Sequence, residues 1–400
     1  MDSYIELTEA LAAEYRKKRR LPVIGITGSV GKTTVKEMIA QILSMKYCVH
    51  KSEESCNGND AAVRNTLSIK QQHQVCVFEL GIDDFGQMER MANCCRPTVP
   101  ILTGISEVHL EKLKTMDAVY EEKSHIFDTL PAGGKIIANG DDVRLMQYLY
   151  ADSRIPNQNI LTYGLSEQCM LRAEQIVPMG LFGSRFSLTG RGFLEEPLEA
   201  EIMLPGIHMV QDAVCAVLIG ILFGVPAQQI TEGLKRMPAM KQRCQKRQEN
   251  GITVIDDTYN ASPVSMRAAL ELLRQVDGRK VCILGDMNEL GSEEKYFHEQ
   301  IGAWAASAAD EAVFIGKMAE AMYHGAVSQD SEIKASWYPD KEMFLAERQK
   351  HIRTGDTILI KASHRQEFSV LAERLLAAET ADSAGNRTLG KMAGHVTEKG

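Results

Sequence analysis

Short unbroken apolar runs alternate along this chain with stretches whose apolar residues recur every three or four positions. "LPVIGIT" (21–27), "HQVCVFELG" (73–81), "TVPILTGIS" (98–106) and "GKIIANGDD" (134–142) read as buried strands, with a helix over roughly 33–45 and helical stretches between the rest. Alternation of this kind implies a parallel sheet covered on both faces. Ahead of it, residues 3–18 have helical spacing that predicts Ile5, Leu7, Leu11 and Ala12 on one face. From about 150 to 204 the texture changes to short alternating runs such as "SRFSLTGRG", which predict added antiparallel strands, and "LPGIHMVQDAVCAVLIGILFGV" (204–225) reads as a turn and an apolar helix.

A second alternation starts near 245. "NGITVIDDTYN" (250–260), "GRKVCILGDM" (278–287), "EAVFIGK" (311–317) and "GDTILIKAS" (355–363) are its strands. The expected fold class is α/β: a P-loop central domain with a parallel sheet, then a C-terminal Rossmann-like α/β domain, whose sites lie beyond the C-terminal ends of the strands. The chain divides on this reading into an N-terminal helix (1–20), a central domain (21–240), a C-terminal domain (245–376) and a polar, aperiodic tail (377–400) expected to be disordered.

Composition narrows the class. Four hundred residues exceed one core, so more than one domain is expected. A formal charge of -8 leaves no basic excess to neutralise a phosphate backbone, so nucleic acid is not an expected partner. The nine cysteines lack paired metal-ligand spacing and read as reduced thiols. The N-terminus lacks the apolar core of a signal peptide and no apolar run approaches ~18 residues, so neither a signal peptide nor a membrane span is expected. The predicted location is the cytoplasm.

The chemistry starts in "VIGITGSVGKTTVKEMI" (23–39). The long phosphate-loop pattern needs glycine where Ile26 stands; the shorter spacing Gly28-x-x-Gly31-Lys32-Thr33 is present instead. Glycines here let backbone N–H groups turn toward phosphates, and the helix that follows offers its positive end. Lys32 can reach the β- and γ-phosphates, and the Thr33 hydroxyl can ligate Mg²⁺. Glu79 ends a buried strand, where a carboxylate is costly unless paired with a cation. His109 follows another buried strand, with a solvent-exposed loop histidine as the alternative. Lys123, alone on a helix, reads as a solvated head group.

"TGSVGKTT", "VCVFELG", "SEVHLEKLKT" and "EEKSHIF" together resemble the Mur ligase family, which joins a carboxylate to an amine through an acyl phosphate at the expense of ATP. The resemblance implies that Gly28, Ser29, Val30, Gly31, Lys32, Thr33 and Thr34 cradle ATP, and that Glu79 and Thr33 hold one Mg²⁺. It implies a second Mg²⁺ at His109 and a carbamoylated Lys123. His125 stands where the family commonly has Glu. In the C-terminal domain "IDDTYNASPVSM" (255–266) and "LGDMNELG" (284–291), followed by His298, are similar to the branch that adds D-alanyl-D-alanine to a UDP-linked muramoyl tripeptide. On that basis Arg243 and Asp257 contact ATP, and Asn260 joins Lys32, Lys123 and His109 among the catalytic residues. By its residues alone "DDTYNASP" also fits a polar strand-end turn.

Departures from the family pattern bear on the substrate. "GIHMVQDAVCA" has Met209 and Asp212 in place of two asparagines, which weakens the expected adenine contact of Asp212. "CNGNDAAVR" has Ala62 and Arg64 in place of Gly and Pro. That branch also carries a UDP-sugar domain of about a hundred residues ahead of the loop, where only 20 residues precede the first strand here. The expected activity is therefore an ATP-dependent ligase joining a small-molecule carboxylate without UDP to an amino acid or dipeptide. Two alternatives stand beside it. One is a D-alanyl-D-alanine-adding peptidoglycan ligase, with a partner protein supplying acceptor recognition. The other is a non-ligating ATP-binding regulatory protein.

Overall fold

The computed structural model describes residues 2–377. It divides into two compact units, Met1–Pro238 and Ala239–Gly400. Residues 378–400, nearly all of the expected tail, lie outside the described residues.

The first unit holds strands β1 (Val23–Thr27), β2 (Val49–Lys51), β3 (Val75–Glu79), β4 (Val99–Leu102), β5 (Ile136–Asn139), β6 (Ile160–Gly164), β7 (Leu171–Pro178), β8 (Ser184–Gly190) and β9 (Leu198–Ile202). They form one nine-stranded sheet in the order β2-β3-β1-β4-β5-β6-β7-β8-β9. Pairing is parallel from β2 through β7 and antiparallel from β7 to β9. Every residue of β1 and β3 is buried, as strands covered on both faces require. β1 lies between β3 and β4, so the loops after these three strands leave side by side from one sheet edge. β6, within the stretch expected to be antiparallel, instead continues the parallel sheet. β2 escapes the apolar pattern because it is a three-residue, half-exposed edge.

The helix Asp2–Lys17 turns only part of the face its spacing predicted inward. Ala12 and Arg16 are buried, whereas Leu7 and Leu11 are 67% and 59% exposed. Polar anchoring decides the orientation: Tyr15 Oη donates to Ile69 O at 2.5 Å, and Arg16 donates to the carbonyls of Cys95, Leu21 and Arg96. Among the described residues no helix is long and apolar enough to cross a membrane.

The second unit contains β10 (Gln245–Glu249), β11 (Ile252–Asp256), β12 (Lys280–Gly285), β13 (Glu311–Ile315), β14 (Lys334–Tyr338) and β15 (Thr357–Lys361). Their order is β10-β11-β15-β12-β13-β14, parallel except for β10. β10 and β14 are polar edge strands without an apolar run, which is why the sequence pattern passes over them. The helices Glu294–Ala308 and Ala319–Gln329 meet backbone to backbone. A Cβ at Gly302 would overlap Met322 O, and one at Gly325 would overlap Glu299 O.

Candidate active site

The glycine loop leaves the C-terminal end of β1 between two other strand ends. Gly28 and Gly31 take positive φ, 146° and 82°, which favour glycine. A Cβ at Gly28 would overlap Thr103 Oγ1, the hydroxyl that donates to Val30 O at 2.5 Å. Ser29 N donates to Gly104 O at 2.9 Å, and Ser106 N donates to Ser29 Oγ at 2.8 Å. The loop is thus laced to the segment after β4. Gly31 is the N-cap of the helix Lys32–Ser44 and offers no side-chain acceptor, the arrangement by which a helix N-terminus serves an anion. Thr33 and Thr34 are buried in its first turn.

Two predicted lysines converge on this loop. Lys32 Nζ donates to Gly28 O at 2.8 Å, and Lys123 Nζ donates to the same oxygen at 3.3 Å. Lys123 is 1% exposed on the helix Met116–Ser124, so it is not the solvated head group its sequence context suggests. Burial and then the Lys32 charge push its amine well below the ordinary lysine range. The adjacent acid, Glu122, is engaged elsewhere: it accepts from Gly86 N and Met88 N, both at 2.8 Å, at the start of the helix Gln87–Cys95.

Glu79 is 2% exposed at the end of β3, across from Ile26 of β1. Its Oε1 accepts from Asn57 Nδ2 at 2.8 Å, and its Oε2 is buried without a hydrogen-bond partner. The Glu79 carboxylate and the Thr33 hydroxyl are hard oxygen donors of the kind that suits Mg²⁺, and the buried Oε2 is left without a hydrogen bond to satisfy it. Among the described residues no three His, Cys, Asp or Glu side chains cluster as metal ligands. His109 takes φ 57° as the N-cap of the short helix Leu110–Leu113. It stands near Asp83, whose carboxyl is held below its usual range by the Lys112 hydrogen bond, with Gln87 and His109 adding to the effect.

Behind the loop lies a polar network that the sequence reading did not single out. Asp142 accepts from Ile105 N at 2.7 Å and Leu145 N at 2.9 Å, and Asn139 Nδ2 donates to Thr103 O at 3.1 Å. Gln211 bridges Asn139 and Asp141 at 3.0 and 2.7 Å. Asp212, expected at the adenine, has its Oδ1 2.9 Å from where a Cβ of Gly31 would sit, so its carboxylate lies against the glycine loop. Asn139, Asp141 and Asp142 end or follow a buried strand, and that position is the signal that could have found them; Gln211 lies within the helix Ile207–Leu222.

Arg243, Asp257 and Asn260 belong to the second unit. The Arg243 guanidinium stacks 3.9 Å from the Tyr259 ring centroid. Asp257 pairs with Lys361 at 2.6 Å and accepts from Cys244 N at 3.1 Å, while Asn260 O accepts from Lys361 at 2.8 Å. Lys361, at the end of β15, was missed because a lysine after an apolar run reads as a strand leaving the core.

Comparison with known proteins matches the geometry to a family. Residues 26–220 match the Mur ligase middle domain and residues 242–364 the Mur ligase glutamate ligase domain. The UDP-N-acetylmuramoyl-tripeptide–D-alanyl-D-alanine ligase of Bacillus subtilis is 28% identical over 94% of this chain and 80% of its own length. The ligase of the same name from Treponema pallidum is 30% identical, over 91% of this chain and 76% of its own. A crystal structure of MurF from Acinetobacter baumannii superposes with a TM-score of 0.85 at 27% identity, covering 94% of this chain and 81% of that one. The chain belongs to the Mur ligase family of ATP-dependent ligases.

Proposed function

We propose that this chain joins D-alanyl-D-alanine to the terminal carboxylate of a UDP-N-acetylmuramoyl tripeptide at the expense of ATP. The observation that carries the reading is its alignment, over more than nine-tenths of its length, with ligases named for that reaction. The expected carboxylate without UDP finds no support among these relatives.

In this reading residues 28–34 hold the ATP phosphates, with Lys32 at the β- and γ-oxygens. A carboxylate oxygen of the tripeptide attacks the γ-phosphorus and ADP leaves. The dipeptide amine then attacks the acyl carbon, loses a proton, and orthophosphate departs. Thr33 and Glu79 would hold one Mg²⁺, and His109 with a Lys123 carbamate a second; such ions draw charge off the transferring phosphoryl oxygens. Burial favours the neutral form of the Lys123 amine, the form that adds to CO₂ with loss of a proton. Asp212 borders the phosphate loop.

Incubating the purified chain with Mg²⁺-ATP, the UDP-linked tripeptide and D-alanyl-D-alanine tests the reading. Phosphate release that needs both substrates, with a product heavier by one dipeptide residue, supports it. Turnover on a UDP-free acid alone, or ATP hydrolysis indifferent to the amine, overturns it.

A further inference from the structure

The carboxylate at the end of β3 is gripped by one amide from outside the sheet. Asn57 Nδ2 donates to Glu79 Oε1 at 2.8 Å, while Oε2 is left buried and without a hydrogen-bond partner. The segment that carries Asn57 is fastened to the same strand. Glu79 N donates to Ser52 Oγ at 3.0 Å, and Ser52 N donates to Val77 O at 3.1 Å. Lys36, wholly buried, donates to the carbonyls of Ser52 and Glu54. Just past Glu79, Gly81 N donates to Asn57 O at 2.8 Å. A Cβ at Gly81 would lie 2.6 Å from Asn57 Cγ, so glycine there makes room for the amide.

A donor fixed on one carboxylate oxygen stops the group from rotating and leaves the lone pairs of the other oxygen aimed one way. We propose that Asn57 is a positioning residue for Glu79: its amide holds Oε1 so that Oε2 is presented to the divalent cation. The inference rests on Glu79 being a metal ligand, as argued above. Gly81 and the Lys36–Ser52 anchor set where the amide stands.

Mn²⁺ is the probe, titrated into the full-length protein with β,γ-methylene ATP and followed by electron paramagnetic resonance. The parent is compared with Asn57→Ala, Gly81→Ala and Glu79→Ala, each checked for folding by its melting curve. Asn57→Ala and Gly81→Ala should each weaken Mn²⁺ binding by about 10-fold or more, the usual loss when a ligand's orienting partner goes. Folded Asn57→Ala within about twofold of the parent, while Glu79→Ala loses the ion, overturns the proposal and spares the metal assignment. Parent affinity in Glu79→Ala overturns both. Should Asn57→Ala fail to fold, Gly81→Ala decides by the same criterion, because it displaces the amide without removing it.

Discussion

Lys32 and Lys123 donate to one oxygen atom, the carbonyl of Gly28, at 2.8 and 3.3 Å. Two cations so placed disfavour each other, and the fully buried one yields. Burial and then the Lys32 charge lower the Lys123 pKa, against a smaller opposing effect of Glu122. The proposed division of labour, Lys32 on phosphate and Lys123 as a carbamate, can be tested on the two residues separately.

Lys123→Ala should lower ligation by about 100-fold or more, since removing one preorganised group at a charged transition state costs about that much. Short-chain carboxylates that fill the gap should restore part of the rate. Parent protein equilibrated with ¹³C-bicarbonate should give a carbamate resonance that the variant lacks. A fully active variant, or a parent without the resonance, would count against the carbamate.

Lys32→Ala and Glu79→Ala should each reduce product formation by about 100-fold or more while leaving the melting temperature near that of the parent. Rapid-quench measurement of ADP and product checks this. Near-normal turnover in either variant would remove that residue from the reaction.

Lys361 and Asp257 form a pair whose side chains are only 3% and 13% exposed. Removing one partner strands the other, so Lys361→Met should destabilise the second unit by roughly 3 kcal/mol. Combining it with Asp257→Asn should recover part of that loss. Denaturant unfolding of the two variants measures it, and equal loss in both would mean that the pairing is not what matters.

His298 supplies a pH dependence. Met287 N donates to its Nε2 at 3.0 Å, so that nitrogen is bare and Nδ1, 2.7 Å from Glu294 O, carries the hydrogen. Burial holds the ring's pKa below its usual 6.5, so the unfolded chain takes up the proton first as pH falls. Stability from the neutral ring is present above about pH 6.5 and lost progressively below it. Melting temperatures between about pH 7 and pH 5 should fall more steeply in the parent than in His298→Gln; parallel curves would show the ring to be indifferent.

Much of this architecture was legible because fully buried parallel strands leave unbroken apolar runs, as β1, β3 and β13 do. Edge strands such as β2 and β14 left no such trace. The glycine loop announced itself through residue types that only a phosphate cradle needs together. Lys123 did not, because nothing in "EEKSHIF" separates a buried amine from a solvated one. Asn57 and Lys361 were hidden for another reason: each matters through a partner distant in sequence, 22 and 104 positions away.

The reciprocal glycines of the second unit have a practical consequence for anyone wishing to stabilise this protein. Gly302 and Gly325 sit inside helices, where a design guided by residue preferences would replace each with alanine for a gain of about 1 kcal/mol. Each methyl group would instead overlap a carbonyl oxygen of the facing helix, so the backbone there would have to shift. The positions that look cheapest to improve are therefore ones a stabilisation campaign should leave untouched.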